Sequence, residues 1–199
     1  VVYANLVGGQ DELVFDGASL VVDAAGQLVA RAQSFAEDQL LLDLPRVGKM
    51  RAESSNDWKN DAPAAARIAP APEGPAEVYA ALQLGLRDYV DKNGFRKVLV
   101  AISGGIDSAL VAAIAVDALG SDRVIGVTMP SQYSSHETLD DAHVLARNLG
   151  ITLHELPIRR LHEEYLRDLA GLWPDRAPDA TEENLQARIR GNLIMALSN

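Results

Sequence analysis

Residues 97–119 read KVLVAISGGIDSALVAAIAVDAL. The run Lys97–Ile102 has the length and apolar character of a buried strand. After the glycine pair, Asp107–Leu119 is apolar nearly all round, as a buried helix is. A strand that turns into a helix through two glycines marks the carboxyl edge of an α/β sheet. The pattern then repeats downstream. Arg123–Met129 reads as a second strand, and Ser134 with Glu137 makes a capping box for a helix that carries Leu139, Ala142, Leu145, Ala146 and Leu149 and stops at Gly150. Ile151–Leu156 reads as a third strand, followed by a helix with Leu161, Tyr165, Leu166 and Leu169. A loop holds Trp173, Pro174 and Pro178, and Thr181 opens a last helix with Leu185, Ile189, Leu193 and Leu197 at spacing four. Three strands alternating with helices imply right-handed crossovers and a parallel sheet, so the expected class is α/β with flanking helices.

Upstream the texture differs. From residue 76, Val78, Tyr79, Leu82, Leu86, Tyr89 and Val90 recur at helical spacing, and Asn93-Gly94 reads as a stop. Residues 45–75 scatter Pro45, Pro63, Pro70, Pro72 and Pro75 among small and polar residues, the composition of a linker. Residues 1–44 alternate short β-like runs with turns: Leu13–Phe15, Ser19–Val22 and Gln27–Ala30, the last two joined as a hairpin through Asp23–Gly26, and Asp38–Leu44 as a further strand. The expected organisation is therefore 1–44, 45–75 and 76–199.

The 199 residues carry 28 acidic and 18 basic side chains, a net charge of −10. That balance argues against a nucleic-acid or anionic-membrane surface, which needs a basic footprint. No stretch approaches the roughly 18 apolar residues of a membrane span, and no basic segment followed by an apolar core opens the chain. There is no cysteine, which excludes disulfides, thiolate metal sites and a thiol nucleophile within these residues and agrees with a cytoplasmic location. The start at Val1 and the stop at Asn199 inside a helical pattern read as the ends of a fragment.

The loop at Ala101, Ile102, Ser103, Gly104, Gly105, Ile106, Asp107 and Ser108 carries the chemistry. Gly104 and Gly105 let the backbone approach a ligand closely, and successive N–H groups at a helix start form an anion nest. Ser103 and Ser108 add hydroxyl donors. A carboxylate at Asp107 suits phosphates once Mg²⁺ stands between them. The same residues also fit a plain strand–turn–helix joint with glycines for sterics and Asp107 as an N-terminal charge. The pattern is neither the Walker lysine loop nor the dinucleotide fingerprint.

The loop resembles the Ser-Gly-Gly-x-Asp-Ser signature of the PP-loop ATP pyrophosphatases, which share an adenine nucleotide alpha hydrolase-like fold, cleave ATP between its α and β phosphates and adenylate a substrate. Within that group, YAALQLGLRDYVDKNGFRKVLVAISGGID (79–107), MPSQYSSHETLDD (129–141) and ENLQARIRGNLIMALSN (183–199) resemble, in order and spacing, the synthetase domain of the glutamine-dependent NAD synthetases, and NLVGGQDELVFDGAS (5–19) resembles the end of the nitrilase-like glutaminase domain preceding it. The resemblance implies ATP and Mg²⁺ as cofactors, and adenylation of the nicotinate carboxylate of deamido-NAD⁺ followed by attack of ammonia derived from glutamine. It also implies homodimers with the deamido-NAD⁺ site near the interface. The glutaminase Glu, Lys and Cys have no place in these residues. With the second Mg²⁺ ligand and further ATP contacts expected beyond residue 199, the fragment alone is expected to bind ATP weakly and turn over little. The remaining alternatives are another PP-loop ligase or thiolase, and a nucleotide-binding fragment without turnover.

By the same resemblance Met129, Pro130 and Ser131 approach the adenine and ribose, with core packing the alternative for Met129, and Tyr133, Ser134 and Ser135 cover the ATP, with a plain N-cap the alternative for Ser134. Asn184, Arg188 and Arg190 are assigned to deamido-NAD⁺. On a helix advancing about 100° per residue, Arg188 and Arg190 flank the Leu185–Ile189–Leu193 stripe on opposite sides, so one of them is expected to reach substrate, and the resemblance favours Arg188, with solvated flank residues the alternative for both. His136, His143, His154 and His162 share no metal-ligand spacing and read as surface or hydrogen-bonded histidines. Asp140 and Asp141 read as a solvated face, and Trp173 as a packing anchor.

Overall fold

A computed structural model describes residues 1–42, 67–172 and 180–199. They form two compact units, Val1–Tyr89 and Val90–Asn199.

The first unit holds five short strands: β1 Val2–Tyr3, β2 Val7–Gln10, β3 Leu13–Asp16, β4 Leu20–Val22 and β5 Leu28–Arg31. They make an antiparallel β1-β4-β5 sheet and a separate β2-β3 hairpin. The β4-β5 turn forms as expected, with Gly26 at φ 82° and Asp23 N–H donating to Gln27 O at 2.9 Å. Helix α1, Pro75–Lys92, follows. The hairpin comes close to it through two glycines: a Cβ at Gly9 would stand 3.0 Å from Gly85 Cα. Gly9 N–H donates to Asp88 Oδ2 at 2.8 Å.

The strand expected over Asp38–Leu44 is absent from its described part, Asp38–Leu42. The cause is local. Asp38 accepts from Gln33 N–H at 2.7 Å and Gln39 N–H at 2.8 Å, and pairs with Arg67. Such side-chain-to-backbone bonds compete with a ladder. Residues 45–66 of the expected linker and the loop with Trp173, Pro174 and Pro178 lie outside the described residues. Beyond the former, Arg67–Ala69 join β5: Arg31 N–H donates to Arg67 O, Ala69 N–H to Arg31 O, both at 3.0 Å, and Arg31 Nε to Ala69 O at 2.8 Å.

The second unit is the α/β core. Strands β6 Val98–Ala101, β7 Val124–Thr128 and β8 Thr152–Glu155 pair in parallel in the order β6-β7-β8. Helix α2, Ile106–Leu119, crosses from β6 to β7, and α3, His136–Leu149, from β7 to β8. Gly120 and Gly150, both at positive φ, end these helices. α4, Arg159–Ala170, and α5, Ala180–Ser198, complete the unit.

Pleating separates the two sheet faces. Leu99 and Val127 lie on one, in a cluster with Met129, Leu156, Ile158 and the α5 residues Leu185, Ile189, Leu193 and Ile194. Val100, Ile102 and Gly126 point to the other, where Ile102 and Leu153 close over Gly126. Two successive right-handed crossovers in one direction put α2 and α3 on that second face. Their buried positions are alanines only, Ala112, Ala115, Ala118, Ala142 and Ala146, so the helices seat close to the sheet. At the foot of β7, Arg123 pairs with Asp91 at 2.8 Å and donates to Arg96 O and Phe95 O.

The Asp38 cluster predicts a pH-dependent stability. The Arg67 guanidinium first, and then the Gln33 and Gln39 amides, hold the Asp38 carboxyl below its ordinary 3.8. A depressed folded-state pKa contributes stability above the unfolded value, and that contribution is lost as pH falls through the folded one. Asp38→Asn is expected to unfold at lower denaturant than the wild type at pH 7, with the difference shrinking as pH drops below about 4; urea titrations across pH 7 to 3 read it.

Candidate functional site

The glycine loop leaves β6 at the carboxyl edge of the sheet. Ile102 is buried at 2% exposure, its N–H donating to Val127 O at 2.8 Å, which anchors the last fixed residue before the loop. Gly104 then takes φ 85°. A Cβ there would lie 2.1 Å from Thr138 O and 2.9 Å from Thr138 Cα, so the first turn of α3 leaves room for glycine alone. Gly105 is the N-cap of α2 and offers no side-chain cap. The serines brace the loop from within: Ser103 N–H donates to Ser108 Oγ at 3.2 Å, the two hydroxyl oxygens are 3.2 Å apart, Gly105 N–H donates to Ser103 Oγ at 3.3 Å, and Ser108 Oγ donates to Gly105 O at 2.9 Å. Ser103, Gly105, Ile106 and Asp107 face solvent at the positive end of α2.

The segment after β7 forms a second rim. Thr128 is buried at 4% and Met129 at 6%. Leu156 N–H donates to Thr128 O and Ile158 N–H to Pro130 O, both at 2.9 Å. Residues 131–134 close a turn: Ser134 Oγ accepts from Ser131 N–H at 3.0 Å and Ser131 Oγ from Tyr133 N–H at 3.2 Å. This corrects the capping box. With Ser134 used in the turn, Ser135 caps α3 and accepts from Thr138 N–H at 3.2 Å.

Between these rims is a cavity of about 160 Å³ lined by Ala101, Ile102, Ser103, Thr128, Met129, Pro130, Ser134, Thr138, Leu139 and Arg190. A wider cleft of about 470 Å³ adjoins it, lined by Ser131, Tyr133, Ser134, Glu182, Glu183, Gln186 and Arg190. Ser134 and Arg190 belong to both. Small-molecule sites usually occupy about 300–1,000 Å³, so the inner cavity fits one portion of a ligand that continues into the cleft.

Arg190 is the cation at this site. Its Nε donates to Met129 O at 3.1 Å, and burial pulls its pKa below the ordinary guanidinium value. It stays charged, since arginine does not deprotonate in proteins. Among the described residues it forms no ion pair, whereas Asp38, Asp91 and Glu155 each hold a cationic partner or a histidine. A partly desolvated guanidinium without a carboxylate is poised for an incoming anion.

The structure thus brings Ala101, Ile102, Ser103, Met129 and Arg190 to the inner cavity and Ser131 to the cleft. Gly104, Gly105 and Ser108 build the loop. Arg188 and Asn184 line neither space: both are exposed, and Arg188 Nη1 donates to Asn184 O at 3.0 Å along the helix. Of the two flanking arginines, Arg190 is the one that lines the cavity beside the loop. Thr128, Thr138, Leu139 and Gln186 line the site without having been singled out from the sequence. Gln186 had a legible signal, since it stands four residues before Arg190 on the same helix face. Thr138 had none, because its contribution is a backbone carbonyl.

Asp107 sits in the first turn of α2, exposed, with no hydrogen-bond or ion-pair partner among the described residues. Those residues contain no group of three or more His, Cys, Asp or Glu able to hold a metal. One carboxylate does fit Mg²⁺, which is commonly held by one or two carboxylates together with substrate phosphates and water. His136 and His154 are exposed, and His143 pairs with Glu155 at 3.3 Å. No described helix is long and apolar enough to cross a membrane.

A parallel α/β sheet with a glycine loop at its carboxyl edge defines the class of open α/β domains, in which ligands bind at that edge. The sequence profile of the NAD synthase family matches residues 78–199, and the chain belongs to that family. It is 46% identical over 217 residues to the glutamine-dependent NAD(+) synthetase of Thermotoga maritima, covering 99% of this chain and 38% of that protein. The corresponding enzyme of Aquifex aeolicus is 47% identical over 218 residues, covering 100% and 38%. The chain therefore spans little more than a third of the length of these relatives. Its fold superposes on the glutamine-dependent NAD+ synthetase of Acinetobacter baumannii, solved in complex with ADP, with a TM-score of 0.85 at 41% identity, covering 100% of this chain and 35% of that one.

Gly104→Ala is the sharpest local test. Left-handed backbone costs an L-residue about 1–2 kcal/mol, and an unrelieved clash adds about 1–3 kcal/mol. The expected loss is roughly 2–5 kcal/mol in denaturant unfolding, or a displaced α3 first turn visible in a crystal structure.

Proposed function

We propose that this chain is the nucleotide-handling part of a glutamine-dependent NAD synthetase. Residues 1–44 are then the end of a nitrilase-like glutaminase domain, 45–75 a linker, and 76–199 the PP-loop part of the synthetase domain. The reaction is the ATP-dependent amidation of deamido-NAD⁺. The nicotinate carboxylate attacks the α-phosphate of ATP, the α–β phosphoanhydride bond breaks, and pyrophosphate leaves. Ammonia, released from glutamine by a glutaminase domain, then attacks the acyl-adenylate; AMP departs, and a proton passes from nitrogen to solvent as the amide forms. The observation that carries the reading is Arg190, which forms no ion pair among the described residues, lining one cavity with Ser103 of the Ser-Gly-Gly loop.

A carboxylate is a poor acyl donor, and AMP supplies the leaving group it lacks. The site must bring two anions together, so charge compensation and orientation are its main tasks. The Gly104 N–H and the start of α2 receive phosphate oxygens, and the Ser103 and Gly105 N–H groups exchange their serine acceptors for phosphate. Ser103 and Ser108 hold the loop in shape and offer hydroxyls. Arg190 faces the negative charge that grows as the α–β bond breaks. Asp107 would hold Mg²⁺, which would supply neutralisation of the phosphates. Met129, Pro130 and Ser131 face the nucleoside. Ala101 and Ile102 position the loop through their backbone pairing with Val127, and Ile106 opens α2 beside it. Asn184 and Arg188, exposed on α5, are assigned to deamido-NAD⁺ on family resemblance alone. The parent protein is a cytoplasmic homodimer on this reading.

Two measurements test it. Calorimetry with ATP and Mg²⁺ is expected to give weak binding to the wild type and at least tenfold weaker binding to Asp107→Ala; equal affinities would remove the metal role of Asp107. Pyrophosphate release by the parent protein is expected to rise with deamido-NAD⁺ and not with other carboxylate acceptors. Release that ignores deamido-NAD⁺ would assign the site to a different adenylating reaction.

A further inference from the structure

Helix α4 carries a histidine that this chemistry does not use. His162 is fully buried, at 0% exposure. Its Nδ1 lies 2.8 Å from Gln132 Nε2, and its Nε2 lies 3.2 Å from the backbone oxygen of Glu182. A carbonyl only accepts, so Nε2 carries the hydrogen and donates to Glu182, while Nδ1 accepts from the Gln132 amide. The Tyr133 ring meets the imidazole edge-on, with centroids 6.4 Å apart at 78°.

The partners matter more than the burial. Gln132 and Tyr133 belong to the turn that leaves β7, and Glu182 to the first turn of α5. Those two segments line the 470 Å³ cleft, with Ser131, Tyr133 and Ser134 from the first and Glu182, Gln186 and Arg190 from the second. His162 stands on a third element and is bonded to both. A buried polar ring costs stability unless it is paired, and an apolar side chain would fill the same space without that cost. The pairing has a geometric result. It ties the turn that carries the inner rim to the helix start that aims Arg190, two turns further along a rigid α5.

We propose that His162 is a positioning residue that sets the separation of the two segments lining the cleft, and through it the placement of Arg190 against the glycine loop. The functional half of this statement rests on the reading above, that the cleft takes part of a nucleotide substrate. The structural half does not.

The test uses the full chain as wild type, His162→Phe, His162→Gln and Val124→Ala. Val124 is buried at 1% at the opposite end of β7 and controls for stability loss alone. Amide hydrogen exchange is read at residues 131–135 and 180–186, and ATP affinity is read by calorimetry with Mg²⁺. His162→Phe removes both bonds and is expected to raise exchange in the two segments together and to weaken ATP binding about tenfold, the effect of losing an interaction of ordinary strength. His162→Gln keeps a donor for Glu182 O and is expected to loosen 131–135 while sparing 180–186. If the phenylalanine variant does not fold, the glutamine variant carries the test. Val124→Ala is expected to lower the melting temperature without selective exchange in either segment. Unchanged exchange in both histidine variants, or the same pattern in Val124→Ala, would overturn the proposal. A wild type that binds no ATP would count against the proposed function, and the exchange data would then decide the positioning role by themselves.

Discussion

The approach of the Gly104 backbone to the Thr138 carbonyl is the constraint on which the site depends. At that point the loop after β6 and the first turn of α3 are separated by less than the space a methyl group needs. The contact holds only because Gly104 is left-handed, Ile102 is buried beneath it, and Ser135, not Ser134, begins α3. Each of these follows from a different part of the sequence. Together they place the loop at the sheet edge, with the hydroxyls of Ser103 and Ser108 bracing its Gly105 and Ser103 amides from within.

Electrostatics then gives the site its direction. The chain is acidic overall, at −10, yet the described residues lining the cavity beside the loop include an arginine and no carboxylate. Arg190 is held by a neutral acceptor, Met129 O, which fixes its position, and it has no carboxylate partner among the described residues. The backbone amides of the loop add partial positive charge from the other side. Glu182 and Glu183 line the outer cleft. On the proposed function, a phosphate chain would be gripped at the inner end, which Arg190 and Ser103 line and Glu182 and Glu183 do not. The three parallel strands contribute by stiffness: β6 carries the loop, β7 the opposite rim, and α5 packs across Leu99 and Val127 on the face away from α2 and α3.

Much of this was legible beforehand, and the failures have physical causes. Strands β6 to β8 announce themselves as apolar runs between glycine stops, and α2 as a helix too apolar to face water. β1 and β2 were not read, because one is two exposed residues and the other, Val7–Gln10, is half glycine; each depends on its partner strand rather than on its own propensity. Asp38–Leu42 looked like a strand because its leucines dominate, while the Asp38 carboxylate takes the backbone amides that a ladder would need. Ser134 and Ser135 both stand at capping distance from a helix, and only the use of Ser134 in the preceding turn decides between them. Arg188 and Arg190 are equivalent by helical angle. The choice between them is made by Met129 O, an acceptor 61 residues away, which no local pattern encodes.

The most direct test of the central claim is a ¹H–¹⁵N titration of the chain with inorganic pyrophosphate and Mg²⁺. The account predicts that the largest shifts fall on the amides of Ser103, Gly104, Gly105 and Ser108 and on the Arg190 Nε–H, with Val124 and Ile125 at the foot of β7 unmoved. Shifts centred elsewhere, or absent from the loop at saturating pyrophosphate, would contradict it.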